Sequence, residues 1–466
     1  MSEKLLLLTG TLAEPSLRRV MEGIDAEEYD WTVRALGVKI AALLTADTIL
    51  RRLTETGDAE RVLLPGRCRG DVERLAAHFG VPFERGPDEL RDLPEFLGQG
   101  GQAPDLSSHD MRIFAEIIEA PLLETDAILR RAAQFARDGA DVIDIGCMPE
   151  VPFPSLPEVV GRLKAEGYTV SVDSLVPDEL LAGGRAGADY LLSLTEDTLW
   201  IAEEVPSTPV LLPSQLGDLD SLIRAGERLS ARGRACILDP ILDPIHFGFT
   251  DAIVRYHTLR HRRPDAALMM GVGNLTELTE ADTTGINAML TGIMSELRIG
   301  NLLATEVSPH CRSVVRELDL ARRMMFRARE EGSLPKQING GLSALHERKP
   351  FPYSADEIRS AALEVKDRNF RIQVSRDAIH IYNRDGHHCA SDPFDLYPHL
   401  DVEQDGAHAF YLGVELARAQ IAFQLGKRYA QDNQLDWGCA LPPAKEDLNR
   451  FAPVGTTKRK RGRSRG

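Results

Sequence analysis

Acids and amides gather at the ends of short apolar runs in the middle of this chain. Glu116 and Glu119 belong to "MRIFAEIIE", Asp144 and Gly146 close "DVIDIG", and Asp173 with Ser174 follows "YTVSV". Ser193 lies in "DYLLSL", Asp239 directly follows "ACIL", and Asp243 repeats the Leu-Asp-Pro word in "LDPILDP". Asn274 and Glu277 stand in "GVGNLTE"; Glu306, Ser308, His310 and Arg312 stand in "TEVSPHCR", and Arg316 is one helical turn further. A carboxylate accepts two parallel hydrogen bonds from a planar ligand edge with adjacent N–H groups, and an amide complements ring N and C=O positions. The same residue types also suit helix N-caps. A single acid therefore decides nothing, whereas a set converging on one mouth points to a flat, hydrogen-bonding ligand such as a pterin.

For these residues to converge, the apolar runs must be neighbouring strands. Candidate strands at 111–118, 141–145, 168–172, 189–194, 208–212, 235–238, 267–270 and 301–305 are each followed by a helical pattern. That rhythm predicts a (β/α)8 TIM barrel over residues 110–331, whose reactive groups sit at the carboxyl ends of the strands. Residues 1–100 alternate runs such as "KLLLLTG" and "RVLLPG" with helical segments, which predicts an N-terminal α/β, Rossmann-like domain. The Gly, Pro and Ser rich stretch 97–110 reads as a linker. Beyond a Gly- and Pro-broken segment at 331–350, "FRIQV" and "AIHIY" predict a hairpin. Phe410, Val414, Ala417, Ile421 and Leu425 form a stripe on a long helix, expected to face a core or a subunit contact. Together they predict a small C-terminal α+β domain over 350–450. "TGTLAEPSLRRV" resembles a strand-to-helix anion-binding turn but lacks the GxGxxG glycines, and "HHC" at 387–389 is expected on a surface hairpin rather than at a metal.

Bulk properties narrow the class. Of 466 residues, 43% are hydrophobic and 27% charged, which is ordinary for a globular protein. No apolar run approaches the roughly 18 residues that a membrane span requires, so a cytoplasmic protein is expected. The six cysteines form no CxxC pair and are expected as reduced thiols. A net charge of −16 argues against a nucleic-acid partner. The tail 454–466 ends in the basic "KRKRGRSRG"; it is expected to be disordered and open to a protein partner.

"DGADVIDIG" (138–146), "SVDS" (171–174), the "LDP" and "GF" segment and the glycine-rich turn after the seventh strand resemble, in order and strand position, the pterin-binding barrel of dihydropteroate synthases. The resemblance covers about 111–330. The three-part architecture is similar to dihydropteroate synthase-related proteins of methanogens and of methylotrophs that use tetrahydromethanopterin. The resemblance implies that Asp173 and Asp239 contact the pterin, that Ser193 replaces the family's Asn with a weaker contact, and that Asp144 orders the mouth. The chain departs from the family in three places. "IFAEIIEAP" replaces an Asn followed by a Thr-Pro-Asp-Ser loop, "GVGNLTE" stands where the family has "SRK", and "SPHCR" spaces its His and Arg differently.

By that resemblance the chain is a transferase of one-carbon metabolism. It would couple dihydropterin-6-methyl diphosphate to an aromatic amine, ribofuranosylaminobenzene phosphate, in tetrahydromethanopterin biosynthesis. Such chemistry holds two flat partners in line and stabilises a departing anion, with no protein nucleophile. Glu116 or Glu119 are then candidates for Mg2+, and Ser308, His310, Arg312 and Arg316 for diphosphate or a substrate phosphate. Asp243 is expected either to hold its loop or to approach the second substrate. Two alternatives stay open. One is methyl transfer from a methylated tetrahydropterin to a corrinoid protein, which Asn274 near pterin N5 would suit; the other is a pterin-binding or scaffolding protein without catalysis. A homodimer is expected.

Overall fold

The computed structural model describes residues 2–24, 28–88, 90–98, 105–336, 338–347 and 349–442; the basic tail lies outside the described residues. Two compact units emerge. One is drawn from Met1–Ala103 and His346–Asp436, the other from Pro104–Leu345 and Trp437–Pro443. The N-terminal and C-terminal segments that read as separate domains thus share one unit. Arg428 pairs with Asp92 at 2.9 Å, and Asn433 donates to Asp88 at 3.1 Å within it.

In that unit β1 (Glu3–Thr9), β2 (Tyr29–Ala35), β3 (Arg61–Leu64) and β4 (Phe83–Arg85) form a parallel sheet in the order β2-β1-β3-β4. The unbroken run Leu5 to Leu8 is buried throughout because side chains alternate across the sheet. Leu6 and Leu8 pack with Ile49 and Leu75 on one face, Leu5 and Leu7 with Leu17 and Met21 on the other. The turn after β1 is not an open anion cradle. The amides of Thr11 and Leu12 donate to Val38 and Lys39, and those of Ala13 and Glu14 return to the Gly10 carbonyl. A Cβ on Gly10 would lie 2.6 Å from the Ala41 nitrogen, so glycine is needed for this close approach.

The second unit holds the expected barrel. Strands β5 (Arg112–Ile117), β6 (Val142–Gly146), β7 (Val170–Asp173), β8 (Tyr190–Leu194), β9 (Thr208–Leu211), β10 (Ile237–Leu238), β11 (Ala267–Gly271) and β12 (Asn301–Ala304) run parallel, and β12 closes onto β5. Helices follow the strands, from Thr125–Asp138, stopped by Gly139 at φ 108°, to Val314–Glu330. Outward residues such as Ile113, Ile143 and Val172 pack beneath these helices, while Phe114, Val142, Leu192, Val210, Ile237 and Met269 form a separate layer inside the barrel.

Back in the first unit, β13 (Arg371–Val374), β14 (Ile379–Asn383) and β15 (Gly386–Ala390) make an antiparallel meander. The "HHC" stretch lies on β15, with His387 Nε2 3.0 Å from His380 Nδ1. The helix Gly406–Leu425 is apolar nearly all round, and it turns a different face inward from the one its stripe suggested. Leu412, Leu416, Ala419 and Ala422 are buried, while Phe410 is 73% exposed and Ile421 is also exposed. No helix among the described residues is long and apolar enough to cross a membrane, and all six cysteines are free.

Candidate functional site

Strand alternation brings the central acids together. Two residues beyond the inner-layer Phe114, Val142 and Ile237 come Glu116, Asp144 and Asp239, and β7 adds Ser171 and Asp173 with the same period. Register places Glu116 opposite Asp144, Asp144 opposite Ser171, and Gly146 opposite Asp173. Carboxylate oxygens of Glu116, Asp144 and Asp173 all lie within 4.8 Å of one another. Gly146 makes room for them, because a Cβ there would overlap Glu116 Oε1.

No Lys or Arg is paired with this trio among the described residues. Burial, then Asp173, pushes the Glu116 carboxyl up to about 7. Burial, then the charges of Asp173 and Glu116, raises Asp144 well above the carboxylate range. Burial raises Asp173 as well, opposed by the Ser193 hydroxyl, which donates to Asp173 Oδ1 at 3.1 Å. The Ser171 hydroxyl donates to Asp144 Oδ1, leaving Asp144 Oδ2 buried without a partner. Ser193, a candidate pterin contact, therefore holds an acid in place.

The two Leu-Asp-Pro words separate cleanly. Asp239 Oδ1 accepts from the Ile241 amide and from the buried Tyr256 hydroxyl, both at 2.8 Å. Its Oδ2 carries no hydrogen bond among the described residues. Burial lifts this carboxyl to about 6, against the pull of those two donors. Asp243 is instead bound to Arg255 at 2.6 Å, and the same guanidinium donates to the Pro240 and Ile241 carbonyls. It ties the loop, the first of the two roles expected of it. Ile241 sits at φ 68°, a costly conformation for a β-branched residue. Gly248 at φ 122° passes so near Asp243 Oδ2 that a Cβ would lie 2.9 Å away. Asn274 closes the knot by donating to the Leu242 carbonyl at 2.8 Å, which leaves its own carbonyl for a ligand.

Past β12 the expected phosphate-binding residues scatter. Arg316 turns away to Asp138 at 3.1 Å and to the carbonyls of Cys439 and Ala440, so it is a structural cation. The helix Val314–Glu330 places it on a face that packs against the helix Thr125–Asp138. The His310 ring lies 3.1 Å from the Thr276 carbonyl. The Ser308 amide, with that of Val307, is bound by Glu277, whose carboxyl those donors hold below its usual range despite burial. Arg312 is exposed and unpaired among the described residues. Glu119 is exposed at φ 54° and lies outside the acid trio of Glu116, Asp144 and Asp173. Glu306 is buried against Arg131 at 3.2 Å, and burial pushes it up to about 7.

The mouth thus offers a trio of hard oxygen donors, Glu116, Asp144 and Asp173, with Asp239 and its free oxygen beside it. Such donors fit a divalent cation like Mg2+, and the orphaned buried Asp144 Oδ2 fits it too. Tyr256 and Arg255 carry no sequence signal for their roles; helix phase alone brings neighbouring residues to Asp239 and Asp243.

A family of unknown function (DUF6513) matches residues 3–88. An uncharacterized protein of Methanocaldococcus jannaschii, MJ0107, is 26% identical over 526 residues, covering 93% of this chain and 99% of that protein. Among solved structures, the dihydropteroate synthase of Yersinia pestis with a pterin-sulfa conjugate is 19% identical, covers 49% of this chain and 95% of its own, and has a TM-score of 0.38. The 7,8-dihydropteroate synthase of Vibrio fischeri is 15% identical, covers 49% and 96%, and has a TM-score of 0.39.

Proposed function

We propose that the barrel mouth binds a pterin through its aminopyrimidinone edge, and that the chain is a dihydropteroate synthase-like transferase. The observation that carries this reading is the pair Asp173 and Asp239, each held by a hydroxyl on one oxygen with the other open. An ionised carboxylate so oriented accepts from the ring N–H and amino groups of a pterin. Asn274 adds a carbonyl from the far side of the loop.

In the reaction the amine nitrogen of an aromatic second substrate attacks the pterin 6-methyl carbon. The C–N bond forms as the C–O bond to diphosphate breaks, and the amine proton is released to solvent. The chain's task is to hold both rings in line and to receive the departing anion. Of the cations considered, Arg312 is the one left unpaired; Arg255, Arg131 and Arg316 are committed to Asp243, Glu306 and Asp138. Glu116, Asp144 and Asp173 would hold Mg2+, which supplies charge neutralisation for diphosphate when bound. The amine proposed, ribofuranosylaminobenzene phosphate of tetrahydromethanopterin biosynthesis, rests on the resemblance of the sequence motifs.

A second reading is favoured by the shortage of cations at the mouth, which suits a pterin-binding protein without turnover. The test is to supply dihydropterin-6-methyl diphosphate, the aromatic amine and Mg2+ and to measure diphosphate release. Release that is lost in Asp173→Asn and Asp239→Asn supports the synthase. Pterin binding without release supports the second reading, and methyl transfer to an added corrinoid protein would replace both.

A further inference from the structure

We propose that an apolar groove beside the barrel mouth is occupied by the C-terminal segment of this same chain, from Phe451 to Arg465. The apolar end of the segment sits in the groove, and its basic run meets the acids at the rim. The groove has a volume of about 450 Å³ and lies between the loop after β6 and the start of the helix Pro177–Arg185. That is within the roughly 300–1,000 Å³ of ordinary ligand clefts.

Its walls are apolar and preset. Met148, Val151, Phe153, Pro157 and Val176 line it. Met148 and Val151 close a tight turn, the Val151 amide donating to the Met148 carbonyl at 3.3 Å. Pro152 and Pro154 fix the backbone that follows, so little ordering of the groove is left for binding to bring about. Val176 is 40% exposed and its neighbour Leu175 75%, which leaves apolar surface for the segment to cover.

The rim carries charge of one sign. Glu150, Asp178 and Glu179 line the groove, and no Lys or Arg among the described residues does. Glu179 accepts from the Ser174 hydroxyl at 2.5 Å, while Glu150 and Asp178 are exposed and enter no ion pair among the described residues. An apolar floor under an acidic rim is complementary to a polypeptide whose apolar residues run into basic ones.

This chain carries such a segment. "FAPV" at 451–454 is followed, after three residues, by "KRKRGRSR" at 458–465, which holds no acid. The residues leading to it are tied to the barrel's own unit, where Arg316 donates to the carbonyls of Cys439 and Ala440. The nine residues from Pro442 to Phe451 span up to about 30 Å, roughly the width of a small domain.

The experiment places the photo-crosslinking residue p-benzoylphenylalanine at position 451 of the full chain and maps the products by mass spectrometry. Crosslinks are expected within one chain, on residues 148–157 or 176–182. Glu150→Lys with Asp178→Lys should lower their yield about tenfold, and so should about 1 M salt. The thermal midpoint checks that the charge-reversed chain is folded, and the salt arm needs no variant of the rim at all. The proposal is overturned if no crosslink forms or crosslinks fall elsewhere, or if they join two chains, which would seat a second copy's segment in the groove. It is overturned equally if the yield withstands salt, or withstands charge reversal in a chain of unchanged thermal midpoint.

Discussion

Replacing Tyr256 by Phe keeps the buried ring and removes one oxygen, the one that donates to Asp239 Oδ1 at 2.8 Å. Burial already pushes the Asp239 carboxyl up to about 6. A buried hydrogen bond to a charged group contributes roughly 1.5–3 kcal/mol. One pKa unit equals about 1.4 kcal/mol, so the Tyr256→Phe carboxyl should rise by about one to two units. The sign follows from the form that binds. Only ionised Asp239 accepts two N–H groups from a pterin edge, so affinity is present above the carboxyl's pKa and is lost as pH falls through it. The acid limb of pterin binding should therefore move from near 6 to about 7–8, with affinity at neutral pH falling roughly two- to tenfold and recovering at about pH 9. Quenching of pterin fluorescence across this range, in both proteins, measures the limb. An unmoved limb refutes the reasoning, as does an equal loss at every pH, which would make Tyr256 a packing residue alone.

Other perturbations have equally definite outcomes. Gly146→Ala drives a methyl group into the Glu116 carboxylate, so pterin and Mg2+ binding should each weaken at least tenfold; calorimetry showing wild-type affinities would contradict the acid trio. Arg316→Ala strands the half-buried Asp138, at about 3–5 kcal/mol for a broken buried pair. Its urea midpoint should drop while pterin affinity stays put, and a loss of affinity without a loss of stability would return Arg316 to the phosphate site. Glu116 and Asp239 rise in the fold to about 7 and about 6 from ordinary values of 4.5 and 3.8. A raised acid contributes stability that is present below its unfolded pKa and is lost as pH rises through its folded pKa. The thermal midpoint should therefore fall between about pH 4 and 7, and Mg2+ should flatten the fall; a midpoint insensitive to Mg2+ across this window would argue against a cation among the acids.

The barrel was legible in the chain because eight apolar runs, each followed by a helical period, leave few other ways to bury two faces of every strand. The placement of Asp144, Asp173 and Asp239 at strand ends was legible for the same reason, since period-two alternation assigns each acid a face once the apolar residues are assigned theirs. Partnership was not legible. Glu116 meets Asp144 and Asp173 only when the barrel curls and its strands come into register, and Glu119, three residues along, leaves the group through a left-handed turn. The Asp138 partner of Arg316 and the buried side of the helix through Phe410 were not legible for one reason: a helix with several plausible faces shows which is buried only when its neighbour is in place. By itself the sequence determined the order of strands and helices and the residue types at their ends, because those are local and periodic. Tertiary structure alone decided which charges neutralise one another, which of the two Leu-Asp-Pro aspartates keeps a free oxygen, and that the N-terminal and C-terminal segments share one unit, because each depends on contacts between residues far apart in the chain.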